Sequence, residues 1–396
     1  MRVCMVAYAF YDSDTRIMRY AEALVQRGDQ VDVIALRRPD QSESEVVDGV
    51  NVLRIQQRQP NESARTSYLT QILMFLVRAM VLVTRKHLRT RYQVIHVHSV
   101  PDFLIFSAWL PKLMGAKLIL DIHDLLPEFY ASKYGTPKDS LAFKLLVAAE
   151  RSSAAFADHV IAANDLWEER LTSRSVGATR CTAMVNVPDR SIFFCQGRTR
   201  SDGKFIILYP GTLNWHQGLD IAIRAFSLIK DMVPEAEFHI YGEGPCQELL
   251  RQLVQELGLQ RQVAMRGFVS TREIARIMEN ADLAVVPKRK DGFGNEAFST
   301  KIMEFMAMGV PVIVSDTQVD RYYFHDSIVR FFRAGDESDL AEAMLQLIKD
   351  PALRTRLAQG ATKFVQQNDW NHMKTEYLDL VDSLADPCRD GELASV

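Results

Sequence analysis

Short β-branched apolar runs recur along the chain, separated by segments whose apolar positions return every three to four residues. Runs at 2–9, 30–37, 50–55, 93–99, 116–122, 159–163 and 182–187 predict one series of strands. Runs at 205–209, 235–241, 262–267, 283–287 and 310–315 predict a second. Between the first two, Arg16 to Arg27 predicts a helix that stops at Gly28, as C-cap glycines do. In the second series, helix 218–231 sets Leu219, Ala222, Ile223, Phe226 and Ile229 on one stripe. Alternating strands and helices predict parallel sheets with helical crossovers. Two such series in tandem predict an α/β chain of two doubly wound domains, with ligands outside the carboxyl ends of the strands. The polar stretch 196–204 reads as the linker. The expected domains are therefore 1–196 and 204–370. A closing helix over 371–384, free to pack back on the N-terminal domain, and a polar, disordered tail over 385–396 follow.

Composition narrows the function classes. The 396 residues exceed one comfortable core and suit two domains. A formal net charge of −3, with both signs mixed throughout, lacks the footprint of a nucleic-acid binder. Cys4, Cys181, Cys195, Cys246 and Cys388 lack CxxC spacing, which argues against a metal site or disulfide framework and suits a reducing compartment. A strand-like run at residues 2–8 leaves no room for a signal peptide, so a cytoplasmic location is expected. The apolar stretch 68–83 would span about 24 Å as a helix, short of a bilayer's roughly 30 Å core. Arg85, Lys86, Arg89 and Arg91 follow it. Segment 68–91 is thus either a helix packed on its own domain or one that also touches an anionic membrane surface.

The densest chemistry lies in residues 295–316, NEAFSTKIMEFMAMGVPVIVSD. A helix beginning near Ser299 or Thr300 carries Glu304 one turn in and ends at Gly309, while Glu296 falls in the loop that feeds it. Free N–H groups and the positive dipole end at such a start favour a diphosphate. A carboxylate further along can take two hydrogen bonds from a ribose diol. One in the preceding loop can reach sugar hydroxyls beyond the phosphates. Spacing alone leaves a capping acid and a solvated acid as the alternative.

In this setting the segment resembles the E-x7-E region of retaining glycosyltransferases of the GT-B fold, family 4. Aligned on the second acid, Glu296-Ala-Phe-Ser299 takes the E-G-F-G place and Glu304-Phe-Met-Ala307 the E-A-M-A place. The local Asp291-Gly-Phe-Gly294 lies too early and reads as a decoy. The resemblance implies that Glu296 contacts the donor sugar, Glu304 the ribose, and the backbone N–H groups of Phe298, Ser299 and Thr300 the phosphates. Lys301 resembles instead the S-x-K-x-x-E-Y-M-A variant of exopolysaccharide and O-antigen transferases. A lysine in a first helical turn is unfavourable unless an anion meets it. Lys301 is therefore a candidate phosphate ligand, with a solvated side chain as the alternative.

Supporting motifs follow the same family, with departures. In Tyr209-Pro-Gly-Thr-Leu-Asn-Trp-His-Gln-Gly218 the family's diphosphate-gripping arginine and lysine are replaced by Thr212 and Gln217, while Gly211 keeps close backbone approach open. Neutralisation then falls to Lys301, Lys288 or Arg289. Tyr241-Gly-Glu-Gly-Pro245 resembles the G-x-G-P turn, which puts Gly242, Glu243 and Gly244 at the nucleotide. Arg266-Gly-Phe268 matches the strand end that reads the base. Residues 92–98 resemble the "DVIHxH" strand and Asp121-Ile-His-Asp124 the "xxHD" strand end. His123 is assigned to the transferring sugar; His98 is either structural or an acceptor contact. Glu128 in Asp124-Leu-Leu-Pro-Glu128 is either an acceptor contact or a helix-start acid. Asp14 and Arg16, in the first βα turn, are further acceptor candidates. That turn lacks GxGxxG, which argues against NAD. Asp12-Ser-Asp14 mimics the metal-binding DxD of another transferase fold and reads as coincidence.

The resemblance implies two facing Rossmann-like domains with an interdomain cleft. It also implies transfer of a hexosyl group from a nucleotide-diphosphate sugar with retention, without metal or bound cofactor. The variant motifs and segment 68–91 point to a lipid-linked or polysaccharide precursor as acceptor, with the protein peripheral on the inner membrane face. Two alternatives share the architecture: a non-hydrolysing sugar-nucleotide epimerase, and a non-catalytic sugar-nucleotide-binding partner subunit, suggested by Thr212 and Gln217.

Overall fold

A computed structural model describes residues 1–58, 65–195 and 197–386. They form two compact units, Met1–Asn186 with Asn371–Val396, and Val187–Trp370.

The first unit is built on strands β1 (Arg2–Ala7), β2 (Gln30–Arg37), β3 (Ser44–Val47), β4 (Val50–Gln57), β5 (Val94–His98), β6 (Lys117–Ile122), β7 (His159–Ala162) and β8 (Cys181–Ala183). They lie in the order β3-β4-β2-β1-β5-β6-β7-β8. All neighbours are parallel except β3 and β4, a hairpin that the sequence reading did not anticipate. Its two-residue turn, Asp48-Gly49, has positive φ at both positions, +49° and +83°, which marks a type I′ turn. The central strands are near-continuous apolar runs because helices cover both faces of a parallel sheet. Strand order reverses between β1 and β5, and in such sheets the reversal opens a crevice at the carboxyl ends. Helix Thr15–Arg27 leaves β1 capped by Asp14, whose Oδ1 accepts from the N–H groups of Arg16 and Ile17 at 3.2 Å, and it stops at Gly28 (φ +99°).

Helix Arg65–Thr90 is longer at both ends than the apolar stretch that predicted it. No helix among the described residues is long and apolar enough to cross a membrane. Helix Trp370–Ala385 joins the first unit from Asn371 onward. Tyr377 and Val381 are buried there, and the Tyr377 ring packs 4.2 Å from that of Tyr20. The predicted tail lies, from residue 387 on, outside the described residues, as does Cys388.

The second unit has strands β9 (Phe205–Pro210), β10 (Ala236–Tyr241), β11 (Val263–Arg266), β12 (Leu283–Val286), β13 (Val312–Ser315) and β14 (Arg330–Phe332), all parallel, in the order β11-β10-β9-β12-β13-β14. Its core joins Ile207, Phe226, Phe238, Val285, Ile313 and Leu340. Within the predicted linker, residues 198–200 are fastened to this unit: Arg198 and Arg200 both pair with Asp282, at 2.5 and 2.6 Å. The division between units falls at Asn186–Val187 instead.

Candidate active site

In the second unit, main-chain bonds lace together the loops at the carboxyl ends of three strands. Gly211 N donates to Tyr241 O at 2.8 Å, Leu213 N to Glu243 O at 2.9 Å, and Gly242 N to Arg266 O at 3.3 Å. A Cβ at Gly242 (φ +132°) would lie 2.0 Å from Gly211 O, so the approach requires glycine. Gly218 (φ +65°) meets Pro287 O in the same way and locks the loop after β9 to the one after β12. Gly211, Gly242, Glu243, Gly244 and Arg266 are thereby gathered beside the strand-order reversal between β9 and β12. Phe268 stands 75% exposed beyond β11.

Helix Thr300–Ala307 follows β12, with Ser299 as its N-cap. Ser299 is 5% exposed, yet its Oγ has no hydrogen-bond partner among the described residues. The side chain of Lys301, in the first turn, runs beside Gly211, where a Cβ would lie 2.8 Å from Lys301 Cε and 3.1 Å from Nζ. Among the described residues the ammonium forms no ion pair or hydrogen bond; it lies 5.7 Å from the Tyr209 ring centre. Burial draws its pKa below the usual lysine value, and Lys288 adds to this while Glu304 opposes it. Of the other candidate cations, Lys288 is buried, paired with Asp320 at 3.0 Å and bonded to Ala297 O at 2.7 Å. Arg289 lies over Trp215 at 3.7 Å and pairs with Asp220 at 2.5 Å. Both are committed to the protein, which leaves Lys301.

Glu296 is buried in the loop before the helix and Glu304 half-buried one turn in. Phe298 packs against Tyr323 and Phe324. The decoy Asp291-Gly-Phe-Gly294 is a local turn in which Asp291 Oδ1 accepts from Gly294 N at 2.6 Å. Gln217 is buried, its Oε1 accepting from Tyr209 OH at 3.1 Å; Thr212 offers its carbonyl to the same hydroxyl. The residue in the lysine position thus serves the loop.

In the first unit, Asp121 is the hub. It is fully buried at the end of β6, and Arg16 donates to both its oxygens at 2.8 Å, Nε to Oδ2 and Nη2 to Oδ1. His98 Nδ1 and His123 Nε2 stand 3.2 and 3.1 Å from Oδ2 and 3.2 Å from each other. His96 Nδ1 meets Tyr377 OH at 3.0 Å. Burial raises the cost of the Asp121 charge, but Arg16 and His123 outweigh it and hold this carboxyl well below the usual range. Burial likewise opposes a charge on His123, yet Asp121 outweighs it and lifts the pKa above the ordinary histidine value. His96 and His98, more deeply buried, are pushed down and stay neutral. His123 is the exposed member, at 20%, and its imidazolium is suited to donate a hydrogen bond to a sugar oxygen. Asp124, beside it, is pushed up to about 6 by burial. His96, His98 and Asp121 bring ligand atoms within 4.8 Å of one another. A metal ion there would sit against the Arg16 guanidinium, so the cluster fits a frame for His123 better than a cation site.

Three of the acceptor candidates have partners within the protein. Arg16 is buried and spends its guanidinium on Asp121 and Met184 O. Glu128 is buried and gives both oxygens to Arg174, at 2.6 and 2.9 Å, in a network that includes Glu150. Asp14 caps its helix. Buried ions persist only when paired, and a sequence does not print the partner. Asp121 was missed as a functional residue, though an acid inside the apolar run of residues 117–122 is a readable signal.

Residues 195–364 match the family model described as glycosyl transferases group 1, and residues 13–186 match that of a glycosyl transferase 4-like domain. A phosphatidyl-myo-inositol mannosyltransferase of Mycobacterium leprae is 24% identical over 398 residues, 97% of each chain. Among solved structures, a sucrose-phosphate synthase from Thermosynechococcus elongatus superposes with a TM-score of 0.79 at 18% identity, covering 97% of this chain and 99% of that one. The Anabaena protein Alr3699/HepE in complex with UDP-glucose gives 0.71 at 16% identity, covering 96% and 99%.

Proposed function

Because the chain belongs to the GT-B glycosyltransferases of the family 4 type and uses a nucleotide sugar, we propose that it transfers a hexosyl group with retention, without a metal, to a lipid-linked or polysaccharide precursor at the inner membrane face. One observation carries the donor half of this reading. Lys301 holds a partly desolvated ammonium that forms no ion pair or hydrogen bond among the described residues, in the first turn of a helix whose N-cap hydroxyl is also unpartnered. A nucleoside diphosphate supplies the missing acceptors and meets the free N–H groups at the same point.

The chemistry is then electrostatic. The bond from the anomeric carbon to the diphosphate breaks through an oxocarbenium-like state. Lys301 and the helix start take up the charge growing on the leaving oxygen. The acceptor hydroxyl adds on the face the diphosphate leaves, and its proton passes to a phosphate oxygen. Glu304 holds the ribose and Glu296 the donor sugar.

A thermal-shift panel of UDP, GDP, dTDP and ADP, run on wild type and Lys301→Ala, tests this. A ligand at 100 times its Kd adds about 2.7 kcal/mol, so one diphosphate should raise the wild-type Tm, and the variant should need at least about tenfold more of it. No shift from any diphosphate with folded wild type sinks the reading. Binding without turnover would favour the partner subunit, which Gln217 in its structural role also suits. Conversion of the sugar nucleotide without an acceptor would favour the epimerase.

A further inference from the structure

Helix Arg65–Thr90 is apolar on two sides, and the fold covers one of them. Ile72, Phe75, Ala79 and Val83 are buried. Leu69, Leu73, Val77 and Val81, four residues apart, form a second stripe that stays exposed, continued by Leu88 at 59%. A helix that is apolar all round needs a second apolar environment. Neighbouring elements add further exposed apolar residues. Segment 102–113 packs against this helix, and helix Leu141–Phe156 packs against residues 102–108. Trp109 stacks on Phe156 at 5.6 Å and ties the two together. Leu113 is 74% exposed and Leu141 73%, with Leu145 beside it.

The exposed charges on these elements have one sign, and Asp102 of segment 102–113 is buried. There is no acid between Arg65 and Thr90 or between Trp109 and Leu113. Glu150, the acid of helix Leu141–Phe156, is buried on Arg174. Arg78, Arg85, Arg89 and Lys144 are exposed. A soluble polyanion would answer these charges but leave the leucines in water. A bilayer with anionic headgroups accommodates both.

We infer that this three-element face docks the protein on an anionic lipid bilayer, lying on the surface with its apolar stripe at the boundary between headgroups and acyl chains. The inference rests on the membrane-acceptor reading above and supplies the surface for it.

The test is flotation of the full chain with phosphatidylcholine vesicles, with and without phosphatidylglycerol. The wild type should float with the mixed vesicles and only weakly with the neutral ones, and added salt should reduce binding. Leu73→Asp/Val77→Asp, both exposed positions, should abolish flotation with an unchanged Tm. Arg85→Gln/Arg89→Gln should weaken it about thirtyfold. Wild type that stays with the soluble fraction, or an aspartate variant that floats like wild type, overturns the inference. Diphosphate binding is measured on the same preparations. Flotation without any diphosphate shift upholds the docking face while removing the transferase reading, and the reverse removes the docking face alone.

Discussion

Lys301 and Asp121 show two fates of a charged side chain inside a fold. Asp121 is answered by Arg16, so removing one partner strands the other: Asp121→Asn should cost about 3–5 kcal/mol, read as a lower denaturant midpoint. Asp102 behaves differently. Burial, with Glu150 adding to it, pushes its carboxyl up to about 7 against the pull of Ser99 and Arg174. The folded state therefore holds this proton more tightly than the unfolded chain, whose aspartates titrate near ~4. The sign follows: stability falls as pH rises from about 4 to about 7, by up to about 1.4 kcal/mol per unit. Asp102→Asn should remove that slope, so the variant's Tm should gain on wild type across the window and run parallel above it. Parallel curves throughout would contradict the assignment. Of this chemistry the sequence displayed Lys301, because a lysine in a first helical turn is locally wrong. It hid the role of Arg16 and Glu128, because a buried pair looks like any two charges until the fold joins them.

Elements are placed by local signals and joined by backbone geometry. The start of helix Thr300–Ala307 was legible from its polar entry and the glycine beyond it, and hairpin β3–β4 could have been read from Asp48-Gly49. Strand β14 was not legible, since three residues beside arginines carry no period. The loops after β9 and β10 meet where Gly242 has no room for a Cβ. Gly242→Ala should therefore displace that lacing and weaken diphosphate binding by about tenfold or more, measured by titration calorimetry on protein whose circular dichroism is unchanged. Tyr377 is the corresponding test for the C-terminal helix. Tyr377→Phe keeps the ring against Tyr20 but leaves His96 Nδ1 buried and unbonded, and should cost about 1–3 kcal/mol.

At the scale of the molecule, the first unit is assembled from both ends of the chain. A chain stopped at Asp369 should uncover Tyr20 and His96. Calorimetry should then show two transitions, one lowered and one, from Val187–Asp369, unchanged; a single transition shifted as a whole would contradict this. The sequence by itself determined the two α/β series, their parallel sheets, the helix that follows β12, and the family whose motifs lie there. Those features are local, written in periods of two and 3.6 residues and in turn chemistry. Tertiary structure alone decided that Arg16 serves Asp121, that Glu128 serves Arg174, that Lys288 and Arg289 are already spent, and that Tyr377 closes over His96. It also decided which apolar side of helix Arg65–Thr90 is buried. Those outcomes depend on residues up to 281 positions apart in sequence meeting in space, and the energy of a buried charge or stripe is set by what it meets there.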